Sequence, residues 1–500
     1  MTDLTKAFLS IFSGKVSTVL ITISVTPLLA RLLGSNAYGD YAFMLSVVGV
    51  SMILVNAGIY DGVRKFIAER RDDHQWVAHV FGFYLRLGIV LAAIAATILL
   101  VVTQVGGIGQ VFGSAFESYF IVVAVLIVGR QLFQTTRGGL MGLGLETYSE
   151  TLQVGRKLTF AVIALGLAGG WGVVGVLTGH VIASIGMSLL ALLVLRSRVD
   201  VTAALAATPT DFPRRRLALF NLESIILTLL MASLYHVDVL LLNPIAGSQA
   251  TGHYKAALMV AEFLWFGPFA LQTALLHSSS RLWAEHGPER ITTLSARVTR
   301  LTVAVTVLLT LGIAALVTVF VTLYFGQAFE PASGAVVLLL PGALGFAVAR
   351  PIFAIGQGKG QLRPLIVATG VAAMLNLGLN LLLIPRYGMI GAGIATSFGY
   401  GSMLVMHIYA ARTIGYDPLA DLRLVRLLAT VGVAAPVIFG LAWVVPPLPS
   451  LVVVPIAGGI VYSVAAVRFR LVDPDEIEWA LDRLPPMIAT RLRSAVGWIS

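Results

Sequence analysis

Apolar runs of about 20 residues follow one another along this chain, and short polar segments separate them. A helix of that length crosses the hydrocarbon core of a bilayer, which is about 30 Å thick. The pattern therefore predicts a polytopic membrane protein made of helices. About fourteen spans are predicted, near residues 11–33, 41–60, 78–103, 116–135, 147–169, 173–195, 217–243, 254–276, 299–324, 333–355, 363–385, 389–411, 425–445 and 450–468.

Short motifs recur with a period of about 215 residues. Gly39-Asp40-Tyr41 returns as Gly252-His253-Tyr254, an offset of 213, and Trp171-Gly172 returns as Tyr387-Gly388, an offset of 216. The fifth apolar run is short, and the second offset predicts that its helix begins near Thr147. Each copy holds six predicted helices. Because six is even, both copies enter the membrane from the same side, as parallel repeats do.

The predicted fold is therefore all-α, with two parallel six-helix repeats followed by a C-terminal helical hairpin. After the hairpin, Asp473-Pro474-Asp475-Glu476 is typical of a helix start, and Ile488, Leu492, Val496 and Ile499 recur at helical spacing. The predicted organisation is an N-lobe at 1–195, a cytoplasmic linker at 196–216, a C-lobe at 217–415, extra helices at 416–468 and an amphipathic cytoplasmic tail at 469–500.

The composition is also that of a membrane protein, and it excludes several kinds of functional site. Hydrophobic residues make up 58% of the chain and charged residues 12%, about half the charge of a soluble domain. The absence of cysteine excludes disulfides, thiol catalysis and iron–sulfur clusters. The histidines lack metal-ligand spacing, and the glycine-rich stretches at 138–144 and 356–360 match no nucleotide-binding loop. We expect no catalytic residue, no metal and no cofactor.

Lysine and arginine are distributed unevenly about the predicted spans. With the N-terminus inside, nearly all of the 34 basic residues fall in cytoplasmic segments, including Arg130, Arg137 and Arg350. This bias predicts that both termini are cytoplasmic. The net charge of +10 is then a consequence of topology. It indicates attraction to anionic lipids of the inner leaflet rather than to nucleic acid.

Charged residues within or at the ends of spans are the candidate functional residues, because each costs free energy unless it faces a cavity or a partner. The cations could hold a phosphate-bearing head group; alternatively, Arg86 forms an internal ion pair and the others snorkel to the interface. The acids could bind a coupling proton or Na⁺, or merely pair with the cations. The candidate cations are Arg31, Arg86, Arg156, Lys157 and Lys255, and the candidate acids are Asp61, Asp238 and Glu262.

Two stretches of the sequence resemble the polysaccharide (O-antigen type) flippases. One runs from Leu33 to Tyr41 and continues with Gly58-Ile59 and Arg64 to Glu69. The other runs from Asn376 through Pro385-Arg386-Tyr387-Gly388 to Thr396. The resemblance covers roughly residues 5–415 and places the chain in the superfamily of multidrug, oligosaccharidyl-lipid and polysaccharide exporters.

The resemblance implies a carrier of the inner membrane that works by alternating access and moves a lipid-linked oligosaccharide outward. It implies a polyprenyl phosphate or diphosphate carrier lipid, cavity-facing cations, and polymerase or glycosyltransferase partners. The extra helix pair is similar to that of the peptidoglycan-precursor flippase, where it forms a lipid groove. A cation-coupled multidrug antiporter of the same superfamily is the alternative. A membrane enzyme is disfavoured because the outer loops are short.

Overall fold

The structure is a computed structural model. It describes residues 3–105, 107–200, 203–204, 206, 208–220, 222–285, 287–473, 475–476 and 478. Helices account for nearly all of this part of the chain, as predicted. The helices of the first half are α1 Asp3–Asn56, α2 Ile59–Glu69, α3 His74–Val105, α4 Ile108–Phe112, α5 Ala115–Gly142, α6 Glu146–Leu195 and α7 Arg214–Ala218.

The second half repeats the same order. Its helices are α8 Leu222–Ala246, α9 Ser248–Glu262, α10 Phe266–Glu285, α11 Pro288–Phe325, α12 Ala332–Gly358, α13 Leu362–Ile414, α14 Leu424–Val444 and α15 Pro447–Arg468. Short 3₁₀ turns at Phe263–Trp265 and Gln327–Phe329 lie between them. The α6 helix begins one residue before the predicted Thr147.

The backbone confirms the internal repeat at its two most unusual positions. Gly172 in α6 has φ 53° and ψ −132°, and Gly388 in α13 has φ 54° and ψ −128°. Both values lie in a region that only glycine enters readily. Each glycine turns the chain between two membrane passes without a loop. Gly34 and Gly247 form a second pair of glycines with positive φ, at 70° and 86°.

The described residues contain 11 helical segments that are long and apolar enough to cross a membrane. Three of these segments, of 57, 50 and 53 residues, are too long for one pass, and each bends at Gly34, Gly172 or Gly388. Dividing each of the three in two brings the number of passes to the predicted fourteen. The chain is therefore a multi-pass membrane protein.

The structure divides into two compact units, residues 1–255 and 256–500. The predicted lobes instead divide at the linker, residues 196–216. The difference arises because α8 packs against α1, and because the start of α9 crosses α1 where Gly39 and Gly252 face each other's backbone. A Cβ at Gly39 would overlap the Ser248 carbonyl, and one at Gly252 would overlap the Ser35 carbonyl.

The linker, residues 196–216, packs against the first unit in its described part. The described part of it packs on the first turns of α3, where Phe212 is buried against Trp76 and Phe83. The Arg86 guanidinium donates to the Ala204 and Ala206 carbonyls at 3.0 and 2.9 Å. The linker therefore belongs to the first compact unit.

In the second unit the appended hairpin, α14 and α15, packs against α11. The Tyr462 hydroxyl donates to the Ala304 carbonyl at 2.8 Å, and Ile438 and Val454 are buried in the shared core. Beyond the hairpin, Asp475 and Glu476 are helical, as expected for the start of a helix. The predicted amphipathic stretch at Ile488 to Ile499 lies outside the described residues.

Candidate functional site

A group of basic residues lies in the middle of the first unit, where α5 and α6 meet α1. Arg130 is at the centre of α5, as its sixteenth residue, and Arg156 and Lys157 are about three turns into α6. Arg130 is within electrostatic range of both, and Arg156 is within range of Lys157. We call these three residues the cation cluster. All three are partly buried.

The partners of the cation cluster are neutral. Lys157 Nζ donates to the Thr22 hydroxyl at 3.2 Å. The Arg156 guanidinium approaches the Gln153 side chain at 3.4 Å and lies 5.2 Å from the centre of the Phe133 ring. Within the part of the chain that the structure describes, Arg130 Nε has no hydrogen-bond partner.

An acid on the same helix as Arg156 and Lys157 is already engaged. Glu150 is buried and accepts from Arg137 Nη2 at 2.6 Å. Arg137 also bonds the Ser149 hydroxyl through Nε at 3.1 Å. Among the described residues, no carboxylate forms an ion pair with any member of the cation cluster. Among the described residues, the three positive charges therefore have no ion-paired carboxylate as a counter-ion.

A tyrosine–histidine pair lies next to the cation cluster. The Tyr41 hydroxyl and His180 Nε2 are 2.9 Å apart, and the Phe160 ring stacks on the imidazole at 3.7 Å. The charges of Arg130, Arg156 and Lys157 all reach His180. The imidazole of His180 therefore packs against the Phe160 and Tyr41 rings beside the cation cluster.

The α1 helix supplies a polar wall beside the cation cluster. Thr18, Thr22 and Thr26 each donate to a backbone carbonyl three or four residues earlier, at 2.8, 2.8 and 2.7 Å. These bonds fall in the turns that precede Pro27, where the helix lacks one amide donor. The helix therefore reaches the cation cluster as a polar but internally bonded element.

The other predicted cations lie elsewhere. Arg31 is exposed and is nine residues beyond Thr22, about 13 Å along the helix. Lys255 is partly buried on α9, within electrostatic range of His236. Arg86 anchors the linker, as described above. Only Arg156 and Lys157 of the five predicted cations come together, and Arg130 joins them.

The predicted acids are also dispersed. Asp61 pairs with Arg64 at 3.2 Å, and both side chains are about half exposed. Asp238 is fully buried and accepts from the Tyr254 hydroxyl at 2.6 Å. Glu262 ends α9, next to the 3₁₀ turn of the second unit. They form no common site with one another in the described structure.

The second repeat has no equivalent of the cation cluster. An offset of 216 residues carries Arg130, Arg156 and Lys157 onto Phe346, Ala372 and Ala373, all of them buried. The same offset superimposes the end of α5 on the end of α12, Gly142 on Gly358, and the start of α6 on that of α13, Glu146 on Leu362. The basic site is therefore specific to the first repeat.

The second unit contains an apolar cavity of about 310 Å³ instead. It lies between α9, α11 and the hairpin, so the extra helices do line a groove. Its walls include Val260, Phe263, Gly312, Ile313, Ile438 and Val454.

Solved structures with this fold are transporters. The lipid II flippase MurJ, in an inward closed conformation, superimposes with a TM-score of 0.71 and 11% identity, over 93% of this chain and 98% of that one. An inward-facing multidrug resistance MATE family transporter gives a TM-score of 0.67 and 17% identity, over 79% and 94%. The chain therefore shares its fold with these two proteins.

Sequence comparisons give the family. An uncharacterized membrane protein of Methanocaldococcus jannaschii is 27% identical over 175 residues, which cover 35% of this chain and 34% of that protein. The model of the family described as "polysaccharide biosynthesis protein" matches residues 4–266, more than half of the chain. The protein therefore belongs to the polysaccharide biosynthesis protein family, whose members include flippase-type transporters.

Proposed function

We propose that the protein is an alternating-access flippase that moves a lipid-linked oligosaccharide from the inner to the outer leaflet of the cell membrane. Both termini are cytoplasmic, and the carrier lipid is a polyprenyl phosphate or diphosphate. Polymerases or glycosyltransferases of surface polysaccharide or glycoprotein synthesis are the expected partners. The observation that carries the proposal is the cation cluster, with three basic side chains that form no ion pair with any described carboxylate.

Like charges at short range in a poorly solvated region repel one another, and that repulsion is relieved when an anion joins them. A phosphate or diphosphate supplies the missing negative charge, and arginine donates to phosphate oxygens with matching geometry. Arg130, Arg156 and Lys157 are the proposed head-group ligands. Arg31 and Lys255 lie farther along the helices and are proposed as secondary contacts during passage.

A carrier is needed because of the sugars. Transfer of each hydroxyl from water into hydrocarbon costs about 4–8 kcal/mol, so an oligosaccharide does not cross a bilayer unaided. The polyprenyl chain has the opposite preference and can stay in an apolar environment. The 310 Å³ cavity beside the hairpin, lined by apolar side chains, suits part of such a chain.

The membrane potential favours outward movement of a negatively charged substrate. With the inside negative, outward movement of each negative charge gains about 2.3 kcal/mol per 100 mV. A lipid phosphate would therefore be driven outward without a dedicated coupling ion.

The test is depletion of the protein followed by analysis of membrane lipids. We expect the glycan-charged polyprenyl lipid to accumulate on the inner leaflet, protected from a glycosidase added outside, while surface glycan is lost. Re-expression of the wild-type chain should reverse both effects. An unchanged lipid pool together with normal surface glycan would contradict the proposal.

The alternative function is a cation-coupled multidrug or small-molecule antiporter. It is favoured by Asp238, a fully buried carboxyl group bonded to Tyr254, and by the similarity to MATE transporters. It predicts that Asp238→Asn abolishes transport and that overexpression raises drug efflux. Normal glycan export by the Asp238→Asn variant would leave that carboxyl with a structural role.

A further inference from the structure

Six charged side chains meet at one end of α11 in the second unit. Arg300 is 99% buried and faces three carboxylates. Its Nη1 is 3.3 Å from Asp421 and 3.7 Å from Asp473, and its Nη2 bonds Glu476 at 2.5 Å. Arg297 bonds the same Glu476 at 2.7 Å. Arginines of α11 therefore hold Asp473 and Glu476, which follow α15, and Asp421, which precedes α14.

Arg423 completes the group from the start of α14. It makes a two-pronged contact with Asp473 at 2.8 and 2.7 Å and a bond to Asp421 at 2.8 Å. Fork-to-fork contacts of this kind are the strongest and most directional ion pairs in proteins. Arg297, Arg300, Asp421, Arg423, Asp473 and Glu476 form what we call the tail latch.

The backbone at the tail latch is strained. Among the described residues, three other than glycine have positive φ, and two of them, Arg423 at 52° and Arg470 at 54°, are here. The Arg470 carbonyl accepts from Arg423 Nη1 at 2.8 Å and from Arg426 Nη1 at 2.9 Å. Such conformations persist only where surrounding contacts enforce them, and they concentrate at clamps and switch regions.

The charges of the tail latch balance only when the beginning of the tail is docked. Three arginines then face three carboxylates. Without Asp473 and Glu476, Asp421 alone would face the three arginines, and a buried arginine that has lost its partners is strongly unfavourable. Asp421 and Asp473 are more than a third exposed, so the aqueous phase reaches the latch.

The contact between Asp473 and Arg423 persists at neutral pH. The bond to Arg423 holds the pKa of Asp473 below the ordinary carboxyl value. A lowered folded-state pKa means that the contact is fully present above the unfolded value of about 3.9 and is lost only as the pH falls through the lowered one. Protonation of Asp473 therefore does not break this contact near pH 7.

We propose that the tail latch is a conformational device that fixes the hairpin, α14 and α15, and the start of the C-terminal tail on α11, and that it opens as one unit. The hairpin lines the apolar cavity, so the latch sets the width of that cavity. This consequence rests on the proposed function; the latch itself does not.

Trypsin cleavage after Arg470 reports on the latch, because the carbonyl of that peptide bond is held by Arg423 and Arg426. In purified full-length protein we expect the Asp473→Asn/Glu476→Gln variant to be cut at least about tenfold faster than wild type, since buried ion pairs are lost. Asp475→Asn removes one negative charge from an exposed neighbour outside the latch, as each of the two latch substitutions does, and serves as the control. Equal acceleration by the control, or none by the latch variant, would overturn the proposal.

Retention on size-exclusion chromatography checks that each variant is folded, and the single variant Asp473→Asn replaces the double variant if that one aggregates. Transport by the latch variant is measured separately. Faster cleavage with an altered transport rate supports the whole proposal. Faster cleavage with unaltered transport leaves the latch in place and overturns its link to the cavity, without bearing on the flippase assignment.

Discussion

The two repeats treat a buried arginine in opposite ways. In the first repeat, Arg130 on α5 lies within electrostatic range of Arg156 and Lys157, and no described carboxylate pairs with the three. In the second repeat, Arg350 on the equivalent helix, α12, bonds Gln272 at 2.9 Å. Its guanidinium is enclosed by Trp265, Phe269 and Phe346, whose ring centres lie 4.9, 5.3 and 4.8 Å away.

The aromatic cage satisfies Arg350 within the protein, because ring faces attract a desolvated cation. In the proposed function, the charges of the cation cluster are instead neutralised by a bound anion, the head group of the substrate. The glycine turns at Gly172 and Gly388, by contrast, have the same backbone dihedral angles within a few degrees. Duplication therefore kept the scaffold, and only one copy carries the proposed anion site.

The largest effect is expected when two positive charges of the first repeat are introduced at the equivalent positions of the second repeat. Ala372→Arg with Ala373→Lys puts two cations at positions that are buried and apolar. Each charge costs about 2.5–3.5 kcal/mol within a membrane helix, so we expect a loss of about 5–7 kcal/mol and little folded protein. Yield and thermal unfolding in detergent measure this.

The reverse exchange, Arg156→Ala with Lys157→Ala, is the control for that experiment. It removes two like charges from the first repeat and should leave the midpoint of unfolding unchanged or raised. A comparable loss of stability in both variants would mean that the two repeats do not differ in the way proposed.

Loss of one cation should affect transport more than stability. Arg130→Gln keeps the size and polarity of the side chain but removes its charge, so the head group loses a charged hydrogen bond worth about 2–5 kcal/mol. We expect the flipping rate of a lipid-linked oligosaccharide in vesicles to fall about 100-fold. Arg386→Gln, an exposed arginine of the second repeat, is the matched control. Similar rates for the two variants would remove Arg130 from the site.

The sequence alone predicts the membrane passes and the repeat, because both depend on local hydrophobicity and on glycine positions. It also identifies Arg156 and Lys157, since both lie about ten residues inside a predicted span. Arg130 was missed as a site residue: its helix was predicted to end at residue 135, which placed Arg130 near the cytoplasmic boundary, whereas α5 continues to Gly142. The length of a helix beyond its apolar run depends on tertiary packing.

Arg86 illustrates a second limit of prediction from sequence, which is contact between residues far apart in the chain. Its depth in α3 suggested a cavity-facing cation, but its partners are the carbonyls of Ala204 and Ala206, more than 100 residues away. No local pattern predicts that a polar linker folds back onto a helix, because the contact is made by backbone groups that every residue carries. The aromatic cage around Arg350 is hidden from sequence for the same reason, since its rings come from two helices and a 3₁₀ turn.

Loss of the cation–π contacts around Arg350 should have a smaller effect on stability. Arg350→Met keeps an unbranched apolar side chain but loses the contacts with Trp265, Phe269 and Phe346. Desolvated cation–π contacts are worth about 2 kcal/mol, so we expect unfolding to become easier by about that amount. The flipping rate of the folded fraction should change less than twofold. A rate as low as that of Arg130→Gln would show that Arg350 also acts on the substrate, and the two repeats would then share the function.

The smallest predicted effect tests what the repeats have in common. Gly172→Ala and Gly388→Ala each place a Cβ on a backbone whose φ is near +53°, and at Gly172 nothing lies within 4 Å of the new atom. The conformational cost is about 1–2 kcal/mol, and it should be equal in the two variants because the dihedral angles agree within a few degrees. Gly170→Ala, two residues away with equal space and no positive φ, should be neutral or slightly stabilising. Unequal losses at Gly172 and Gly388, measured by thermal unfolding under identical conditions, would mean that the two turns are not equivalent and that the divergence of the repeats extends to the backbone.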